Sequence, residues 1–142
     1  MAIVKIVLAA AMASVLASSA ARAEQRQRPP GEGVICSWAL YAIVDHVGRE
    51  CFRGRDPEFQ AEVARHVARF DAYVVANSDA TVEDAREFRR QQGEHAAAPG
   101  RLCSGDPVMM YELFRQQGAT ERTKNVDDML ARPGPPTWGT CL

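Results

Sequence analysis

The stretch that decides the fold is Val34–Val47, with the sequence VICSWALYAIVDHV. From Val34 to Val44 every residue except Ser37 is apolar or aromatic. A surface helix would show a polar side chain every three to four residues, and this segment does not. Its length of about 14 residues is too short to cross a bilayer, which requires roughly 20. We therefore predict a helix that is buried on nearly all sides and around which the other helices pack.

Capping residues predict the ends of this helix and the start of the next. Gly48 suits the left-handed position that follows many helices, so the first helix is expected to end there. Asp56 followed by Pro57 predicts the start of a second helix, which continues to about Asn77. Its apolar face carries Phe59, Val63, Val67, Phe70 and Val74, and the opposite face, expected in solvent, carries Glu62, Arg65, His66 and Arg69.

A third helix is predicted over Val82–Gln92. Thr81 with Asp84 three residues later matches a capping box at its start, and Gly93 is expected to end it. Residues 94–102 then read as a loop, because Pro-Gly interrupts them.

The last part of the chain predicts two more helices and a tail. Asp-Pro at 106–107 repeats the earlier start signal and opens a fourth helix, Pro107–Gln117, and a short fifth helix follows at Val126–Ala131. The tail 132–142 contains three prolines and cannot be helical. No segment alternates with period two. The predicted fold is therefore all-α, a small disulfide-stapled bundle of four helices with a short fifth helix and a Pro-rich tail.

The N-terminus has the pattern of a secretory signal peptide. Lys5 precedes the apolar run Ile6–Leu16, and Ala-Arg-Ala before residue 24 fits the small-x-small cleavage rule. We expect a signal peptide at 1–23, a flexible lead-in at 24–33 and a single helical domain at 34–142, in the periplasm or secreted. No transmembrane segment is expected after cleavage.

The net charge argues against two classes of partner. Lys5 and Arg22 leave with the signal peptide, which takes the formal net charge from −1 to about −3. A weakly acidic domain without a basic run has no electrostatic footprint for nucleic acid. It also has no Lys/Arg-rich amphipathic helix for anionic membranes.

All four cysteines follow the predicted signal peptide, and an even number in a short exported chain indicates disulfides. A continuous first helix separates Cys36 from Cys51 by roughly 20 Å, whereas a disulfide needs Cα atoms within about 7 Å. Up-and-down packing then brings Cys51 and Cys103 to the same end of the bundle, which leaves Cys36 for Cys141. No CxxC pair is present for redox or zinc chemistry.

Two acid–histidine pairs are the candidate catalytic or metal-ligating residues. Glu62 and His66 lie four residues apart and could form half a metal site, but the sequence offers no third ligand. Asp45 and His46 are adjacent, and a histidine near a helix C-terminus is stabilised by the helix dipole without any catalytic role. We therefore predict no catalytic residue and no metal site.

Cofactor motifs are also missing from the sequence. A nucleophile elbow, a phosphate-binding glycine loop and an HExxH helix do not occur. Met109, Met110 and Met129 could be imagined as haem ligands, but methionine on a helical stripe is usually core filler. We predict no cofactor.

An anion site is the remaining candidate. If the second and fourth helices begin at the same end of the bundle, their N-termini lie close to Arg53, Arg55 and Arg101. Asp56 and Asp106 at the same helix starts would partly neutralise such a site.

Three functions remain open. The first is a non-catalytic exported domain that binds a protein or small ligand, such as an inhibitor or envelope factor. The second is a small helical hydrolase that uses His46 or His66. The third is an acid- or stress-protective periplasmic chaperone.

Overall fold

The computed structural model describes residues 28–141, which form five α-helices and no strand. In chain order the helices are α1 (Val34–Cys51), α2 (Pro57–Asn77), α3 (Val82–His95), α4 (Asp106–Gln116) and α5 (Ala119–Leu130). Helix α1 packs against α2, α3 and α4, and α2 also packs against α3 and α5. The all-α fold is as predicted, whereas the predicted signal peptide at 1–23 lies outside the described residues.

Helix α1 is the centre of the bundle. No residue between Val34 and Gly48 is exposed, and the rings of Trp38 and Tyr41 lie in the core. The prediction of a helix buried on nearly all sides is confirmed. Because three helices cover it, α1 has no face left for the alternating polar residues of a surface helix.

Two glycines that were expected to end helices lie inside them instead. Both α1 and α3 continue beyond the predicted stops at Gly48 and Gly93. A Cβ atom on Gly48 would lie 3.1 Å from the Tyr111 ring and 3.3 Å from Gln60 Cδ. A Cβ atom on Gly93 would lie 2.7 Å from Cγ of His46. These glycines therefore allow close contacts between helices, a requirement that local capping rules do not detect.

One of the three predicted N-terminal caps is confirmed. The Asp84 N–H donates to Thr81 Oγ1 at 3.1 Å, and the Thr81 N–H donates to Asp84 Oδ2 at 2.8 Å, which completes the capping box of α3. Asp56 has a left-handed backbone (φ 46°) and its side chain makes no capping hydrogen bond. Asp106 is the first residue of α4, and the cap position belongs to Gly105.

The fifth helix is longer than predicted. It starts at Ala119, well before the expected Val126, and is about as long as α4. Its N-terminal half looks polar in the sequence, yet Arg122 is buried together with Val126. A periodicity that counts only apolar residues misses this half of the helix, because one of its core positions is an arginine.

The lead-in and the tail are held together. The Thr137 N–H donates to the Gly31 carbonyl at 2.9 Å, and the Ile35 N–H donates to the Thr137 carbonyl at 3.1 Å. The Tyr73 hydroxyl of α2 lies 2.9 Å from the carbonyl oxygen of Arg132. The part of the lead-in that the structure describes thus contacts the tail through Gly31, while the flexible lead-in at 24–33 stays a prediction.

Two disulfides connect α1 to the second half of the chain. Cys36 pairs with Cys141 at a Cα–Cα distance of 5.1 Å, and Cys51 pairs with Cys103 at 5.3 Å. These are the two pairs predicted from helix length and up-and-down packing. Both ends of α1 are therefore attached covalently to distant parts of the chain.

Candidate functional site

Glu62 and His66 lie in the interior rather than in solvent. Only 8% of Glu62 and 4% of His66 is exposed, so the predicted solvent face of α2 is wrong at these two positions. The reason is Arg122 of α5, which is itself 3% exposed and meets Glu62. Its Nε donates to Glu62 Oε1 at 2.9 Å and its Nη2 donates to Oε2 at 2.7 Å. A buried carboxylate requires such a partner, and this one lies sixty positions away in sequence.

Arg122 also holds the end of α4. Its Nη1 donates to the carbonyl oxygens of Phe114 (2.7 Å) and Gln117. The last carbonyls of a helix lack partners within the helix, so this contact satisfies groups that would otherwise be unpaired. The guanidinium also lies 4.9 Å from the centre of the Phe59 ring. Arg122 thus connects α2, α4 and α5.

His66 completes the group that we call the buried ion-pair cluster, consisting of Tyr41, Glu62, His66 and Arg122. His66 Nε2 lies 3.4 Å from Glu62 Oε1, and the imidazole ring meets the Tyr41 ring edge-on at 5.5 Å. Neither of its ring nitrogens has a hydrogen-bond partner among the described residues. Burial lowers the pKa of His66, although the Glu62 carboxylate acts in the opposite direction.

The protonation states of this cluster follow from burial and from Arg122. Burial favours the neutral form of Glu62, but the hydrogen bonds and charge of Arg122 outweigh it and lower the pKa of the carboxyl. Burial raises the pKa of Tyr41 to about 12. At neutral pH the cluster therefore contains one ion pair, a neutral imidazole and a neutral phenol. Its enclosed position and complete Glu–Arg pairing suit a structural link more than a catalytic group.

A second group of polar residues lines a cleft between α1 and α3, which we call the arginine cleft. Its volume is about 260 Å³. The charged residues of its wall are Arg49, Arg86, Arg89, Arg90, Asp45 and Glu94. The three arginines of α3 share one face because they are spaced three and four residues apart. Arg49 comes from the last turns of α1, and the His46–Gly93 contact brings the two helices together.

The arginines of the cleft differ in the number of carboxylates that they bond. Arg49 bonds Asp45 and Arg86 bonds Glu83, in each case through one nitrogen. Arg90 is bonded by carboxylates of its own helix on both sides of its guanidinium, from Glu87 and Glu94. Arg49 and Arg86 also have the most exposed side chains of the four arginines, at 57% and 62%.

Arg89 is less exposed, and its partner Asp71 connects three helices. Its Nε lies 3.2 Å from Oδ2 of Asp71 on α2, and the Trp38 indole N–H of α1 donates to Oδ1 of the same carboxylate at 2.9 Å. Burial raises the pKa of Asp71, and the charge of Arg89 opposes that increase. Burial likewise raises the pKa of Asp45, opposed by Arg49. Arg89 and Arg49 thus each pair with a partly buried carboxylate, and of these two carboxylates Asp45 lines the cleft.

The predicted anion-site arginines each bond to local neighbours. Arg53 Nε donates to the Arg49 carbonyl at 3.0 Å, and Arg55 lies over the Phe52 ring at 4.9 Å. Arg101 Nε donates to Ser104 Oγ at 3.3 Å. No contact joins these three arginines to one another among residues 28–141, so a shared anion site there stays a prediction.

The acid–histidine pair and the methionines considered in the sequence lie in several parts of the fold. Asp45 bonds Arg49 rather than the adjacent His46. Met110 and Met129 pack against the core, as expected of core filler, but Met109 is 57% exposed. Sequence reasoning missed Arg122 and the arginine cleft. The sequence signal for the cleft was the Arg-rich run at 86–90, whose partner on α1 is decided only by the packing of the helices.

Comparison with known proteins adds no relative: no protein-family model, no curated protein and no solved structure matches this chain. Within residues 28–141, no helix is long and apolar enough to cross a membrane. The same residues contain no group of three or more His, Cys, Asp or Glu side chains arranged to hold a metal ion. The function must therefore be inferred from the site geometry of this chain.

Proposed function

We propose that this chain is an exported, non-catalytic helical binding domain and that the arginine cleft is its binding site. The two disulfides support export, because such bonds persist in oxidising compartments outside the cytoplasm. The signal-peptide pattern at 1–23 also supports export.

The unused hydrogen-bonding capacity of Arg49 and Arg86 carries the proposal. A guanidinium has five N–H donors. Within the described part of the chain, each of these arginines uses one nitrogen on a carboxylate, and their side chains are 57% and 62% exposed. A ligand in the cleft can therefore bond both guanidiniums without breaking any core contact.

Native mass spectrometry of the protein purified from its own exported fraction tests this function. The wild type is expected to carry added mass, either a small molecule or a second chain. Arg49→Gln/Arg86→Gln should lose this mass, whereas the matched variant Arg53→Gln/Arg101→Gln, outside the cleft, should keep it. A wild type without added mass, or added mass that survives the cleft variant, contradicts the proposal.

A small hydrolase is the first alternative. Since His66 is enclosed, such an enzyme would have to use His46, which lines the arginine cleft. A panel of ester and glycoside substrates tests it. Turnover that disappears in His46→Ala supports the hydrolase, and no turnover by the wild type rejects it.

An acid-protective chaperone is the second alternative, favoured by the neutral imidazole inside the buried ion-pair cluster. Protonation of His66 would place an additional positive charge beside Arg122 and loosen α5. Binding of an apolar dye at about pH 4–5, but not at neutral pH, is the expected signature. A domain that binds no dye across this range is not such a chaperone.

A further inference from the structure

We infer that the arginine cleft takes a phosphate or sulfate monoester group of a small ligand. This inference rests on the proposed function above, because it names the chemistry of the ligand for the same cleft. It makes no use of the arginines at 53, 55 and 101.

The exposed guanidiniums of the cleft favour an anion. Each arginine of the wall pairs with a carboxylate, so the cleft as a whole has no excess positive charge; the partners are Asp45, Asp71, Glu83, Glu87 and Glu94. Within the described residues, Arg49 and Arg86 each bond a carboxylate through a single nitrogen, and their side chains are 57% and 62% exposed. An anion that accepts from their remaining N–H groups gains charge-assisted hydrogen bonds.

The geometry favours an oxyanion with several acceptor oxygens. Guanidinium groups present parallel N–H donors that match two oxygens of a phosphate, sulfate or carboxylate. Arg49 lines the cleft from α1 and Arg86 lines it from α3, so the two helices each contribute a guanidinium to the same cleft. A planar carboxylate offers two acceptor oxygens, whereas phosphate and sulfate monoesters offer three. Three acceptor oxygens suit two guanidinium groups better than two.

The volume restricts the size of the ligand. Sites for drug-sized ligands range from about 300 to 1,000 Å³. The cleft, at about 260 Å³, lies below that range and fits one oxyanion group with a small attached residue such as a single sugar ring. The side chain of His46 is the remaining polar group of the wall that can contact such a residue.

Calorimetric titration tests the ligand class. The probes are sodium phosphate, sodium sulfate, glucose 6-phosphate and glucose, each at constant ionic strength set with sodium chloride. Saturable binding is expected for the three oxyanions, tightest for glucose 6-phosphate, and none for glucose. Equal affinity for free phosphate and glucose 6-phosphate would assign the cleft to the free ion and overturn the monoester.

Two pairs of substitutions locate the binding. Arg49→Gln/Arg86→Gln should lower the affinity for glucose 6-phosphate by about tenfold or more, since charge-assisted hydrogen bonds are lost. Arg53→Gln/Arg101→Gln should leave the affinity within about twofold. The reverse pattern would place the anion at the helix starts. If the double cleft variant proves unstable, Arg86→Gln alone, at an exposed position, should still weaken binding by about threefold or more.

Failure of this inference differs from failure of the proposed function. If no oxyanion binds, yet the native mass spectrum shows added mass that depends on Arg49 and Arg86, the ligand class is wrong and the binding cleft stands. If neither oxyanion binding nor cleft-dependent mass is observed, both proposals are wrong.

Discussion

Arg122 of α5 binds Glu62 of α2 through two parallel hydrogen bonds, 2.9 and 2.7 Å long, inside the protein. The same guanidinium donates to a carbonyl at the end of α4, so one side chain connects three helices. The pair also explains how α5 attaches to a bundle whose other helices surround α1.

Removing Arg122 should destabilise the domain strongly. Arg122→Met leaves Glu62 as an unpaired buried charge, and the expected loss is about 3–5 kcal/mol of unfolding free energy. In Glu62→Gln/Arg122→Met no buried charge remains, so part of the loss should be recovered. Urea unfolding of the wild type, both single variants and the double variant measures the coupling. Additive losses in this cycle would mean that the two residues do not act as a pair.

Acid should destabilise the domain through His66. Its pKa is lowered from the ordinary value of 6.5, chiefly by burial, so the unfolded chain binds this proton before the folded protein does. The contribution of the neutral imidazole is complete above that value and is lost as the pH falls below it. The urea midpoint of the wild type should therefore fall between about pH 7 and about pH 5.5.

His66→Gln should reduce this pH dependence, and His95→Gln, at an exposed position, serves as the control. The groups that face His66 are Tyr41, Glu62, Arg69 and Arg122. Partly buried carboxylates with raised pKa elsewhere gain protons on folding and act in the opposite direction. Comparing variant with wild type cancels their effect, and identical pH profiles would exclude His66 as the source.

Gly93→Ala should destabilise the contact between α1 and α3. Alanine ordinarily strengthens a helix, but its Cβ would lie 2.7 Å from Cγ of His46, and an expected cost of about 1–3 kcal/mol follows from overpacking. Gly118→Ala is the control, because a Cβ there meets nothing within 4 Å. Thermal melting measures both, and His46→Ala combined with Gly93→Ala should recover part of the loss. A Gly93→Ala variant as stable as the wild type would show that the helices can separate freely.

Loss of the Cys36–Cys141 bond should release the tail without unfolding the bundle. Cys36→Ser/Cys141→Ser is expected to cost about 4.7 kcal/mol in the chain-entropy description, because the bond closes a loop of 105 positions. Limited proteolysis should then cut first near Arg132. Peptide mapping under non-reducing conditions checks the connectivity directly, and a peptide joining Cys36 to Cys51 would be incompatible with a continuous α1.

Local patterns were sufficient for most of the helices. The apolar run from Val34 to Val44 has no solvent-compatible face, so its burial follows from composition alone. The bounds of α2 follow from Asp-Pro at 56–57 and from a stripe with helical spacing. The length of α1 excludes a bond between Cys36 and Cys51, and up-and-down packing of the helices then favours the two observed pairs.

Local sequence patterns could not predict the candidate site. Glu62 and His66 look like surface residues because a charged side chain is normally buried only with a partner, and Arg122 is far away in sequence. Gly48 and Gly93 match the local pattern of helix ends. The close contact with a neighbouring helix that requires glycine at these positions cannot be predicted from the local sequence. The arginine cleft exists only once α1 and α3 are in contact.

By itself, the sequence determined a central buried helix, an all-α bundle and the exclusion of a Cys36–Cys51 bond, because helical spacing and helix length act over short distances along the chain. Only the tertiary structure decided which charged residues are inside and which arginines share a cleft. Those outcomes depend on partners from other helices, and the free energy of burying or grouping charges is set by such partners rather than by neighbours in sequence.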